Sequence, residues 1–200
     1  MRRLILASAS PRRRELLAQA GYTFDVMPAH VNEDPRGDEE PIAYVVRLAR
    51  EKAESVFAEI SSRSTAPPQV VVLGADTTVT LDGHILAKPE NAADAARMLR
   101  LLSGRAHQVI TGVCLVAPAF EHTEAEITQV VFSLLSEDEI AYYVRTGEPM
   151  DKAGAYAIQG IAARWVERIE GCYFNVVGLP LPQIYRLLRA AEAATGVSLI

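Results

Sequence analysis

Several things are scarce in this 200-residue sequence, and each scarcity excludes a class of protein. There are only two cysteines, Cys114 and Cys172, in no CxxC pair. No disulfide framework can be built from them, so a reducing, cytoplasmic compartment and buried inert thiols are expected. No apolar run approaches the ~18 residues that a membrane helix needs. The patch Leu4 to Ala7, which follows Arg2-Arg3, falls short of the roughly 7–15 residues of a signal-peptide core, so it reads as a first strand. Aromatic residues make up 6% and are not interleaved with basic ones, so Trp165 and the tyrosines are expected in the core or at its rim rather than as base-stacking platforms. Cations are not in excess: Lys+Arg number 20 against 25 Asp+Glu, for a net charge of −5. That balance argues against a general nucleic-acid binder, whose affinity comes mostly from cations on phosphates. GxxxxGK[ST] loops, GxSxG elbows and Ser/His/Asp triads do not occur, and the four histidines have no metal-ligand spacing. Internal repeats, low-complexity tracts and heptad seams are also missing.

What is present is a sequence half hydrophobic and 22% charged, enough to bury a core in one domain over residues 1–200 with no strong linker. The charge is unevenly spread. Five arginines (Arg2, Arg3, Arg12, Arg13, Arg14) precede the first acid, Glu15; from Asp25 to Glu40 six acids stand against Arg36 alone. Ser10-Pro11 predicts a helix start that Gly21 ends. Phe24 to Met27 reads as a strand, Ala29 to Glu40 as an acidic loop, Pro41 to about Ile60 as a long amphipathic helix and Ser61 to Pro68 as a loop. Val70 to Leu73 predicts a buried strand ending at Gly74-Ala75-Asp76, and Asp82-Gly83 a hairpin turn. A helix over Ala92–Leu102 is followed by two long strands, about His107–Val116 and Glu124–Leu134. Ser136 to Glu139 forms a capping box. Gly154–Gln159 and Arg164–Ile169 read as strands, and Pro182–Ala194 as a closing helix. Strands that alternate with helices early and pair as hairpins later predict an α/β fold with a mixed sheet.

Two places can support chemistry. Ser8-Ala9-Ser10-Pro11-Arg12-Arg13 joins a strand to a helix N-terminus, where free N–H groups, hydroxyls and guanidinium forks favour an anion. A capped helix with a solvated basic first turn is the competing reading, although arginines there oppose the helix dipole. Asp76, expected just past a strand end, could bind Mg²⁺ or take a proton from water, or simply cap its own turn. Glu33 could add a carboxylate, or belong to an exposed acidic loop. Lys52 and Lys88 could equally be surface lysines.

Taken together, the motifs resemble the Maf family of nucleoside triphosphate pyrophosphatases. The resemblance is carried by Leu6-Ala7-Ser8-Ala9-Ser10-Pro11-Arg12-Arg13-Arg14-Glu15-Leu16-Leu17, Leu48-Ala49-Arg50-Glu51-Lys52-Ala53, Gly74-Ala75-Asp76-Thr77, Ala87-Lys88-Pro89 and Leu102-Ser103-Gly104 with His107, Val109, Thr111 and Gly112. Gly147-Glu148-Pro149, Asp151-Lys152-Ala153-Gly154-Ala155-Tyr156, Ile158-Gln159-Gly160 and Asn175-Val176-Val177-Gly178-Leu179-Pro180 complete it, in family order. Arg12-Arg13 and Ile158-Gln159-Gly160 look like the branch acting on dTTP and UTP.

The resemblance implies a twisted mixed sheet flanked by helices, in two lobes around a central cleft. It implies Asp76 as the general base, and Ser8, Ser10, Arg12, Arg13, Lys52 and Lys88 on the triphosphate. Glu33 would join Asp76 around a divalent cation, Mg²⁺ or Mn²⁺. Arg13, Thr77 and Gln159 match positions tied to substrate choice. The partners implied are a small nucleoside triphosphate and a second copy of the chain as a homodimer, with neither nucleic acid nor membrane. Modified pyrimidine triphosphates, nucleotide-pool housecleaning and a link to cell-division arrest are also implied. A regulatory nucleotide-binding module acting in septum inhibition, with incidental catalysis, is the alternative. Ala87 and Asn32 depart from common family forms, and Asn32 affects the number of protein metal ligands. Arg2, Arg3 and Arg14 are expected in solvent.

Overall fold

The computed structural model describes residues 3–63 and 69–196. Arg2 and the Ser64–Pro68 part of the expected loop lie outside them. The chain forms one seven-stranded sheet with helices around it. β1 (Arg3–Leu6) pairs in parallel with β2 (Phe24–Val26) on one side and with β3 (Val70–Leu81) on the other. β3 turns at Asp82-Gly83 into the antiparallel β4 (His84–Leu86). β5 (Ala106–Ala117) and β6 (Phe120–Phe132) follow, and β7 (Val166–Glu170) pairs antiparallel to β6 with a bulge at Val131/Phe132. The strand order is β2-β1-β3-β5-β6-β7, with β4 beside β3. Parallel and antiparallel pairs share one sheet, as the alternation of elements predicts.

Six helices accompany the sheet among the described residues: α1 (Pro11–Gln19), α2 (Pro41–Ser62), α3 (Ala92–Leu102), α4 (Glu137–Arg145), α5 (Tyr173–Val177) and α6 (Leu181–Thr195). Their ends follow local rules. The Ser10 side chain accepts from the Arg13 N–H with Pro11 at the first helical position. Asn91 caps α3, and Ser136 with Glu139 forms the reciprocal capping box of α4.

The chain divides into two compact units. The first contains residues up to Asp76, Thr111–Glu126 and the segment from Gly178 onward. Its core includes Ile5, Ala7, Ala49, Ala53, Val56, Val72 and Cys114, from β1 and the residue after it, α2, β3 and β5. The second contains Thr77–Ile110 and Ile127–Val177. Leu99, Leu102, Phe132, Ile140, Tyr143 and Trp165 are buried in its core. Full burial of each such side chain contributes about 1.5–3 kcal/mol.

Three expectations are corrected. β3 does not stop at Leu73 but runs on to Leu81, so Asp76 lies within a strand rather than past its end. A buried carboxylate is tolerated there because a lysine pairs with it. Gly154–Gln159 is not a strand. Gly154 and Ala155 have φ of 67° and 60°, and they end the extended backbone in a short 3-10 turn over Ala153–Ala155. The expected strand over Arg164–Ile169 begins later, at Val166, after a second such turn over Ile161–Trp165.

Candidate active site

The first unit brings together most of the charged residues singled out above. Its geometry starts at Gly74 on β3, where a Cβ would stand 2.1 Å from the Ala49 carbonyl oxygen and 2.8 Å from the Ala53 nitrogen. Only glycine allows α2 to lie this close to the strand. Lys52, between those two helical residues, therefore reaches β3. Its Nζ lies 2.7 Å from Asp76 Oδ1 and 2.6 Å from Glu33 Oε1. Lys52 and Asp76 are each 7% exposed, whereas half of the Glu33 side chain is exposed. Two carboxylates thus converge on one cationic atom. An ion pair this buried holds charge in place at a desolvation cost, so it is weak evidence of a stabilising role.

The strand-to-helix turn supplies the opposite charge. Arg13, 8% exposed, donates from Nη1 to Ser8 Oγ (3.1 Å) and to the Ala75 carbonyl (2.8 Å), and from Nε to the Gly178 carbonyl (2.9 Å). Burial lowers its pKa from the ordinary arginine value, and the neighbouring Asp76 charge opposes that shift. Ser8 Oγ also accepts from the Ser10 N–H at 3.2 Å. Arg13 therefore ties the Ser8-Ala9-Ser10 turn to the residue preceding Asp76. Arg12 is half-buried, and Arg14 is exposed. Arg3 is also exposed and bonds Asp25 at 2.8 and 2.5 Å.

Sequence reasoning missed two residues that hold the acidic loop. Tyr44 donates its hydroxyl to the Glu33 carbonyl (2.9 Å), and burial raises its pKa to about 12. Arg47 forks onto Glu39 with two bonds of 2.7 Å and reaches the Asp34 carbonyl at 3.2 Å. These side chains sit one turn apart on α2, directly after the loop, and that spacing was the available signal. The loop is anchored rather than simply solvated.

The second unit carries the other candidates. Thr77 follows Asp76 along β3 and is half-buried, so it points to the opposite face from Asp76. Lys88 is exposed and lines an open polar depression of about 560 Å³ with Glu90, Asn91, Asp94 and Arg97. Gln159 is exposed in a turn.

Among the described residues no three His, Cys, Asp or Glu side chains group as a metal site. The donor set of Glu33 and Asp76 still suits a hard cation. Both are carboxylate oxygens already drawn to one positive atom, and Mg²⁺ is commonly held by one or two carboxylates with waters and substrate phosphates.

The model of the Maf-like protein family matches residues 3–191. A dTTP/UTP pyrophosphatase of Koribacter versatilis is 55% identical over 188 residues, covering 94% of each chain. The dTTP/UTP pyrophosphatase of Anaeromyxobacter dehalogenans is 50% identical, with 94% of each chain covered. The one from Vibrio cholerae is 49% identical, covering 93% of this chain and 96% of its own. Among solved structures, the Staphylococcus aureus Ham1 protein overlaps 66% of this chain and 72% of its own at a TM-score of 0.39 and 10% identity, too distant to carry a conclusion.

Proposed function

The chain belongs to the Maf-like protein family, and on that premise we propose that it is a nucleoside triphosphate pyrophosphatase acting on dTTP and UTP. The observation that carries the reading is the trio of Lys52, Asp76 and Glu33 beside the Ser8–Arg13 turn. That combination provides a base, anion donors and a cation-binding pair, which is what a displacement governed by positioning and charge stabilisation requires.

Asp76 takes the proton of the attacking water. The water oxygen bonds to the α-phosphorus, the bond to the bridging oxygen breaks, and pyrophosphate leaves with the electron pair, which frees the nucleoside monophosphate. Lys52 orients the Asp76 carboxylate through their 2.7 Å bond. Ser8, Ser10, Arg12, Arg13, Lys52 and Lys88 bind the triphosphate. Glu33 and Asp76 would hold a divalent cation, Mg²⁺ or Mn²⁺, which would neutralise charge on the phosphate oxygens. Gln159 reads the base, with Arg13 and Thr77 contributing to substrate choice. An amide offers one donor and one acceptor, complementary to the O4 and N3–H edge that uracil and thymine share. Two free thiols fit the cytoplasm, and the family resemblance extends the reading to a homodimer.

The deciding experiment incubates the protein with canonical and modified triphosphates and detects pyrophosphate and phosphate separately. Pyrophosphate release confined to uracil and thymine nucleotides, abolished by EDTA and restored by Mg²⁺ or Mn²⁺, is expected. Phosphate release would mean attack at the γ-phosphorus and a different enzyme; turnover in EDTA would remove the cation.

A further inference from the structure

Gln159 sits in a tight turn whose two ends are held by one pair of side chains. The turn closes with the Gly160 N–H donating to the Ala157 carbonyl at 3.1 Å, so Ile158 and Gln159 are its central residues. On the entering side, the Ala157 N–H donates to the Tyr143 hydroxyl (3.3 Å). On the leaving side, the Ile161 N–H donates to both Glu148 carboxylate oxygens, at 3.1 and 3.4 Å. The pair is itself joined, with the Tyr143 hydroxyl donating to Glu148 Oε1 at 2.9 Å.

Each member is anchored. Tyr143, on α4, is fully buried and meets Trp165 edge-on at 5.1 Å. Burial raises its pKa, so the hydroxyl keeps the proton that it donates. Glu148 opens a 3-10 turn, and its carbonyl accepts from Lys152 Nζ at 2.6 Å. The closeness of fit is visible at Gly160. A Cβ there would stand 1.9 Å from Glu148 Oε1, although φ of −103° would suit any residue. A side chain at 160 would have to displace the Glu148 carboxylate, whereas the backbone itself would accept one.

We propose that Glu148, braced by Tyr143, is a positioning residue for base selection: it fixes the 157–160 turn and so sets where the Gln159 amide meets the pyrimidine. The inference rests on the reading of Gln159 as the base-reading residue. The carboxylate touches no reacting atom. Its effect passes through the Ile161 amide to the turn, so it bears on binding of the correct base rather than on the chemical step.

The test compares Gln159→Ala, Glu148→Ala, Glu148→Gln, Gly160→Ala and the Glu148→Ala/Gly160→Ala double variant. For each, kcat and KM are measured with UTP and CTP, together with amide hydrogen exchange at Ile161. Gln159→Ala should lower the UTP/CTP ratio of kcat/KM by about ten-fold or more, since a site built to hydrogen-bond a base loses discrimination when its partner is removed. Glu148→Ala should lower the ratio by about ten-fold, mainly through the KM for UTP and with UTP kcat changed less than about three-fold, as expected for lost binding rather than lost chemistry. Exchange at Ile161 should accelerate by about ten-fold or more, because its only acceptor among the described residues is gone. Glu148→Gln keeps an acceptor and should recover most of the ratio. Gly160→Ala should be harmful alone and nearly neutral beside Glu148→Ala, since truncation vacates the clashing volume. The proposal is overturned if Glu148→Ala accelerates Ile161 exchange but leaves the ratio unchanged while Gln159→Ala collapses it. Should Glu148→Ala fail to fold, an unchanged ratio in Gly160→Ala overturns it instead. If Gln159→Ala leaves the ratio intact, the reading of Gln159 fails, and the specificity role of Glu148 fails with it.

Discussion

Both units bury neutral polar side chains, but among the described residues only the first also buries charged ones. In the unit that contains α2, the buried polar side chains include Arg13, Lys52 and Asp76, all ionisable and at most 8% exposed. In the unit that contains α3 and α4 they are Thr78, Thr80, His107, Thr128 and Asn175, and the rings of His107, Phe132 and Tyr156 pack edge-on against one another. Thr128 Oγ1 accepts from the Cys172 N–H and from Asn175 Nδ2, which also donates to the Val109 carbonyl. Buried charge costs several kcal/mol per ion even after relaxation, whereas a satisfied neutral hydrogen bond contributes about 1 kcal/mol net. A fold selected for stability alone has little reason to place three charges in one unit and none in the core of the other.

The contrast breaks most sharply at Asp76. Asp76→Asn keeps an acceptor for Lys52 but removes the proposed base, so kcat should fall by roughly two to four orders of magnitude with the fold retained. Steady-state pyrophosphate release and circular dichroism check both halves, and near-full turnover would take Asp76 out of the mechanism. The reverse is expected at Phe132, which is 1% exposed between His107, Tyr156 and Trp165. Phe132→Ala should cost about 3–5 kcal/mol in urea unfolding, with residual activity tracking the folded fraction. A loss of turnover in fully folded protein would mean that the aromatic core does more than support.

A smaller effect separates the units by pH. Burial lowers the His107 pKa from 6.5 to about 4, with the ring 2.8 Å from the Tyr156 hydroxyl. Because the unfolded chain takes up that proton first, its contribution is full above pH 6.5 and is lost as the pH falls towards 4. The loss amounts to about 3 kcal/mol. His107→Gln should flatten this part of the urea-unfolding profile, leaving the slope from the carboxylates; parallel profiles would show that His107 does not titrate. The smallest expected effect concerns the thiols. Burial raises Cys114 to about 11, so a thiol reagent at pH 8 should spare Cys114 until the protein unfolds, leaving Cys172 as the only candidate for native-state labelling. Mass spectrometry locates the label, and native-state labelling of Cys114 would show that the first unit opens locally.

Local rules made much of the fold legible in advance. The Ser10 cap, the Asp82-Gly83 hairpin, the 92–102 helix and the Ser136–Glu139 capping box each depend on residues within four positions of one another, and each stands where the pattern puts it. The charged candidates were legible as residue types, and the ordered motifs identified the family. Other features came only with the tertiary structure. Asp76 lies inside β3 because Lys52, 24 residues away, supplies its counter-charge. Arg13 finds its carbonyl acceptors 62 and 165 residues away. The Gly154–Gln159 segment reads as a strand but turns, held by Tyr143 and Glu148 from a helix and a turn that precede it. Periodicity and capping report neighbours three or four residues apart. The partners of a buried charge or of a turn amide are chosen by burial, which forces each polar group to be satisfied wherever the folded chain brings an acceptor within reach.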